Sequence, residues 1–152
     1  MLFSMLALAC KKDDSDDTSN ARSWKVGSNS YTSIRTEGRT IGTNIYMIEA
    51  LSGLTFPFDG ISFNFSGTST PAAGRYKVVT GGIPGAGQVC FGTVEGVTTT
   101  GPVSNYMATG NDNVYATVKD INGRISISMP DAWAKNAGTD SVIVSASITR
   151  TQ

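Results

Sequence analysis

Apolar and polar residues alternate with a period of two along much of this chain, the signature of half-buried β-strands. In Ile61-Ser62-Phe63-Asn64-Phe65-Ser66 the large apolar side chains fall on every second position, and Arg124-Ile125-Ser126-Ile127-Ser128-Met129 repeats the pattern. Val114, Ala116 and Val118 alternate with Tyr115, Thr117 and Lys119, while Val142, Val144, Ala146 and Ile148 line one face of the last predicted strand. Ile45-Tyr46-Met47-Ile48 and Val78-Val79 are apolar on both faces, which predicts central strands covered on two sides. The turn residues agree. Asn122-Gly123 stands between two alternating runs, a strong hairpin signal, and Gly27-Ser28-Asn29 links a first hairpin carrying Trp24 and Val26 on one arm and Tyr31 on the other. The Gly-rich stretch 81–87 and the segment 66–74 read as loops, the first leading into a strand over 88–94. One helical turn is expected over 130–137, which opens with Pro130 and ends near Gly138. The prediction is an all-β fold: an antiparallel β-sandwich or small barrel of about eight to ten short strands, built over residues 22–152 as a single domain.

The beginning of the chain follows different rules. Residues 1–9 form an unbroken apolar run apart from Ser4, and Cys10 follows at once. The run is far shorter than the roughly 20 residues needed to cross a bilayer and matches the apolar core of a signal peptide. Leu6-Ala7-Leu8-Ala9-Cys10 resembles the bacterial lipobox, in which signal peptidase II cuts before a Cys that carries lipid. No Lys or Arg precedes the run, so either the natural start lies upstream of Met1 or a charged leader has been lost. From Lys11 to Ser19, six of nine residues are charged and none is apolar, which predicts a disordered tether. Together with the lipidation that the resemblance implies at Cys10, residues 10–21 are expected to be a lipidated Cys and its tether. Lys11, Lys12, Asp13 and Asp14 are similar to the export signal that places Bacteroidetes lipoproteins on the outer leaflet of the outer membrane. That resemblance implies a lipid-anchored, outer-membrane protein facing the cell surface.

Composition sharpens the fold and narrows the chemistry. Residues 22–152 contain eleven Val and eleven Ile but only two Leu, with fourteen Ser and seventeen Thr. Branching at Cβ favours extended backbone, whereas Leu favours helix. Ten basic against eight acidic residues leave this part at +2, so no field invites nucleic acid. The absence of His removes Ser-His-Asp and Cys-His catalysis and His metal sites. Neither a cofactor nor a metal is expected.

The layout resembles a group of small Bacteroidetes lipoproteins of unassigned function. The shared features are a Trp- or Phe-led first hairpin ending in Tyr, here Trp24 to Tyr31, a Gly-x-Tyr-x-Val step, here Gly74-Arg75-Tyr76-Lys77-Val78, and a closing pair of strands. The resemblance implies location and β fold, and transfers no active site.

Candidate chemistry is sparse. Glu37, Glu49, Asp59, Glu95, Asp112, Asp120, Asp131 and Asp140 each fall on a different segment, so the sequence shows no acid pair of the kind a glycosidase needs. Asn111-Asp112-Asn113 lacks the spacing of a calcium loop and reads as a turn. Cys90 lies in an apolar run with no His to activate it and reads as a buried small hydrophobe. Trp24 belongs to an alternating strand and is expected in the core. Trp133 falls in the polar connection after Pro130, beside Asp131, Lys135 and Asn136, and these four form the candidate ligand-binding set. The expected function is a non-catalytic binding or accessory module for a glycan or protein ligand, attached to the membrane through its lipid. A structural component of the envelope is the second reading, and a glycan-active enzyme the last.

Overall fold

The computed structural model describes residues 22–110 and 113–150. The expectations placed on Cys10, Lys11, Lys12, Asp13 and Asp14, and on Asn111 and Asp112, lie outside the described residues. Among the described residues eleven strands follow one another: β1 (Arg22–Val26), β2 (Asn29–Thr32), β3 (Arg35–Ile41), β4 (Ile45–Leu51), β5 (Phe58–Ser66), β6 (Gly74–Val78), β7 (Gln88–Val97), β8 (Ser104–Ala108), β9 (Tyr115–Ile121), β10 (Arg124–Lys135) and β11 (Ser141–Thr149). The fold is all-β, with one strand more than the upper expectation. β3 explains the undercount: Arg35, Glu37, Gly38 and Arg39 give it little apolar alternation, yet it pairs with β4 along its whole length, from Arg35 opposite Leu51 to Ile41 opposite Ile45.

These strands belong to one sheet in the order β2-β1-β11-β10-β9-β6-β7-β5-β4-β3, with β8 wedged between β10 and β7. Their pairings are antiparallel except for β6 with β7, where Lys77 and Val78 run parallel to Gln88 and Val89. The two ends of this order are consecutive in the chain. At the Ser33–Ile34 bend the Ser33 N–H donates to the Arg22 carbonyl of β1 at 2.6 Å, and the next N–H, of Ile34, donates to the Leu51 carbonyl of β4 at 2.9 Å. Successive amides of an extended chain point to opposite sides, so this bend stitches the two edges together and turns the sheet back on itself. The result is sandwich- or barrel-like, around one core containing Trp24, Phe63, Phe65, Phe91, Ile127 and Ile148.

The predicted hairpins form. Ile121 pairs with Arg124, and the two residues between them, Asn122 (φ 54°) and Gly123 (φ 80°), both take the left-handed conformation of a type I′ turn. Val26 pairs with Asn29 around Gly27-Ser28.

Two local expectations are corrected. Residues 130–137 form no helical turn, because β10 continues through to Lys135. A register shift between Met129 and Ala132 accommodates Pro130, which cannot donate to the ladder, and the alternation resumes with Ala132 and Ala134 buried and Asp131, Trp133 and Lys135 exposed. The bulge breaks the period for two residues and so hides the strand from a reading of periodicity. The second correction concerns 45–48. β4 buries Tyr46, Ile48 and Ala50, while Ile45 and Met47 on its other face remain half-buried. That outer face is a surface, not a second core.

Candidate functional site

β10 resolves the four candidate residues into two roles. Asp131, Trp133 and Lys135 share its outward face, since a strand sends alternate side chains to the same side. Asn136 follows the strand and belongs to a turn. Its Oδ1 accepts from the N–H of Gly138 at 2.9 Å and of Asp140 at 3.2 Å, and its Nδ2 donates to Asp140 Oδ2 at 3.0 Å. These bonds make Asn136 the scaffold of the β10–β11 connection, as Asn side chains often are in turns.

Around Trp133 the outer face of β1, β11 and β10 forms a shallow platform. Ile143 lies directly opposite Trp133, Ser141 opposite Lys135, and Ser145 opposite Lys25 of β1. Trp133 is 45% exposed and Ile143 40%, so two large apolar side chains meet solvent side by side. On the far side of Ile143 comes Gly27, whose N–H donates to the Ile143 carbonyl at 2.8 Å and whose missing side chain leaves open space. The centre is therefore apolar, and Lys25, Asp131, Ser141 and Ser145 rim it with donors and acceptors. The hollow lined by these residues has a volume of ≈ 560 Å³. The Trp133 carbonyl accepts from the Thr109 N–H at 3.1 Å and the Thr109 hydroxyl at 3.3 Å, which holds this stretch of β10 rigidly beside the end of β8.

The fold also brings together two carboxylates that are far apart in sequence. Asp59 and Glu95 meet beside Tyr31. Asp59 accepts from the Gly96 N–H at 2.9 Å and the Ser52 hydroxyl at 3.0 Å; Glu95 accepts from the Tyr31 hydroxyl and from Asn29 Nδ2 at 3.3 Å. Burial, the Glu95 hydrogen bond and the charges of Glu95 and Asp59 together push the Tyr31 hydroxyl far above the usual tyrosine range. The group ties β2 to β5 and β7, and both carboxylates are engaged in holding it. Neither acid lines the platform. No sequence signal marks this pairing, because it depends on the closure of the sheet. Trp24 stacks on Tyr31 with ring centroids 5.3 Å apart, and its buried Nε1 has no hydrogen-bond partner among the described residues.

Cys90 is buried, with its sulfur 3.8 Å from both Asn64 Nδ2 and the Gly82 carbonyl. Among the described residues no group of three or more Cys, Asp or Glu side chains could hold a metal ion, and no helix is long and apolar enough to cross a membrane. Comparison with protein-family models, with curated proteins and with solved structures finds no match.

Proposed function

We propose that this protein is a lipid-anchored binding module of the bacterial outer membrane, displayed at the cell surface, that holds a glycan against the Trp133 platform without transforming it. The observation that carries the ligand reading is the pair Trp133 and Ile143, exposed together on an otherwise polar sheet face and rimmed by Lys25, Asp131, Ser141 and Ser145. A broad apolar ring accepts the C–H face of a sugar, while the rim offers both donors and acceptors to its hydroxyls. Leu6-Ala7-Leu8-Ala9-Cys10 and the Lys/Asp run after it support the anchor and the outward display. The non-catalytic reading draws on the absence of His and on the structural engagement of Asp59 and Glu95.

A glycan array probed with the protein and with Trp133→Ala tests the ligand. Binding to at least one glycan, reduced about 30-fold or more in the variant, is the expected result, since truncating an aromatic anchor costs about 2 kcal/mol or more. Binding that survives Trp133→Ala unchanged removes the platform from the proposal.

A further inference from the structure

Two further hollows lie on the outer surface, on the β8 side of β10. One, of ≈ 450 Å³, is lined by Thr80, Gly81, Asn105, Met107, Lys135 and Asn136. The other, of ≈ 300 Å³, is lined by Arg39, Glu49, Ser62, Gly92, Asn105 and Met107. Asn105 and Met107 line both, so the two hollows adjoin at these side chains and together make an interrupted trough. Lys135 joins it to the exposed stripe of β10 that carries Trp133.

Missing side chains let neighbouring ones lie low in the trough. At Gly92 a Cβ would come within 2.7 Å of the Met107 sulfur, and at Gly81 within 3.2 Å of its terminal methyl. At Gly60, which also borders the trough, a Cβ would come within 3.1 Å of Leu51. The glycines let Met107 lie flat as a floor, and Asn105, Ser62 and the Arg39–Glu49 ion pair, at 3.1 Å, stand along it as polar groups. From β10 the trough crosses β8, β7, β5, β4 and β3 in turn. Five interstrand steps of about 4.8 Å make its length about 24 Å. A small rounded ligand would leave most of this length empty, whereas a linear chain running across the strands would fill it.

We infer that the trough extends the Trp133 platform into a multi-subsite track for a linear polysaccharide, with Trp133 as the stacking anchor and Lys135, Asn105, Ser62 and the Arg39–Glu49 pair as successive hydrogen-bonding positions. The inference rests on the glycan reading of the platform. It adds that the ligand is a chain of several sugar units lying across β10, β8, β7, β5, β4 and β3.

Isothermal titration of the full chain with defined oligosaccharides of two to eight units tests it, using β-1,4-glucan, β-1,4-mannan, α-1,4-glucan and β-1,4-linked N-acetylglucosamine series. Affinity for at least one series should rise about tenfold or more between the shortest and the longest members, as each filled subsite adds to binding. In the double variant Asn105→Ala/Ser62→Ala, with an unchanged melting temperature, that rise should vanish while the shortest ligand binds as before. Equal affinity for short and long members, lost in Trp133→Ala, overturns the track and leaves the platform standing. If no oligosaccharide in any series and no glycan on the array binds, both readings fall. A displayed extended peptide that binds through Asn105, with no length dependence among the oligosaccharides, also overturns the track.

Discussion

Two tryptophans of the same chain face opposite physical situations. Trp24 is 1% exposed and stacked on Tyr31, and its truncation to Ala should cost about 3–5 kcal/mol, the range for buried large side chains. Trp133 stands half-exposed on the outer face, and Trp133→Ala should cost about 1 kcal/mol at most. Urea unfolding of the two variants checks the contrast; equal losses would remove Trp133 from the surface. Acrylamide should correspondingly quench one indole and spare the other. Tyr31 makes a second residue-scale prediction, in the alkaline range. Its hydroxyl is harder to ionise in the folded chain than the ordinary value of 10.0, so between that value and its folded pKa the native state binds the extra proton. Stability from this group is complete below about pH 10 and declines as pH rises further. Tyr31→Phe should lower stability at neutral pH, by loss of the bond to Glu95, and should flatten the part of the alkaline decline that Tyr31 causes. Stability profiles of the wild type and the Tyr31→Phe variant that run parallel above about pH 10 would rule this out.

At the scale of elements, the β9–β10 hairpin depends on backbone conformations that few residues tolerate. Gly123 is at φ 80° and its N–H donates to Asp120 Oδ1 at 2.8 Å. Gly123→Val forces a β-branched side chain into that region and should cost about 1–3 kcal/mol, measured as a lower melting temperature. The same scale shows why 130–137 resisted reading. Pro130 and Asp131 suit the start of a helix as well as they suit a bulge, and local propensity does not separate the two. What separates them is β11: Ala132, Trp133, Ala134 and Lys135 pair with Val144, Ile143, Val142 and Ser141, and those backbone bonds hold the segment extended. The exposure of Trp133 follows from this pairing, since its strand parity places it opposite the buried Ala132 and Ala134.

For the molecule as a whole, the proposals join a closed sheet, a ligand face on its outside and a lipid anchor at Cys10. Cys10→Ser should abolish acylation and release the protein from membranes, as fractionation and mass spectrometry would show. Anchoring needs more than a single acyl chain to be firm, so the wild-type protein should carry several on Cys10. Protease added to intact cells should degrade it, and Lys12, Asp13 and Asp14 changed together to Ala should protect it by keeping it on the inner face. Acyl-free Cys10, or a Cys10→Ser protein still sedimenting with membranes, would end the anchoring proposal.

Much of the fold was legible because its causes are local. The excess of Val and Ile over Leu, the alternation in 61–66 and 124–129, and the Asn122-Gly123 turn act through neighbouring residues and report strands and a hairpin directly. The burial of Trp24 was likewise readable from alternation, whereas Trp133 was expected in a connection between strands and owes its exposure to its parity within β10. Three features were decided only by the tertiary structure. Closure at Ser33–Ile34 joins β1 to β4 through two successive amides, and no pattern in the chain announces which edges will meet. The Tyr31, Asp59 and Glu95 group exists because that closure brings β2 against β5 and β7. The split of the candidate set, with Asp131, Trp133 and Lys135 on a face and Asn136 in a turn, required the register of β10 on β11. Alternation is set by bond geometry within a strand, whereas register and closure are set by the summed burial and hydrogen bonding of strands far apart in the sequence.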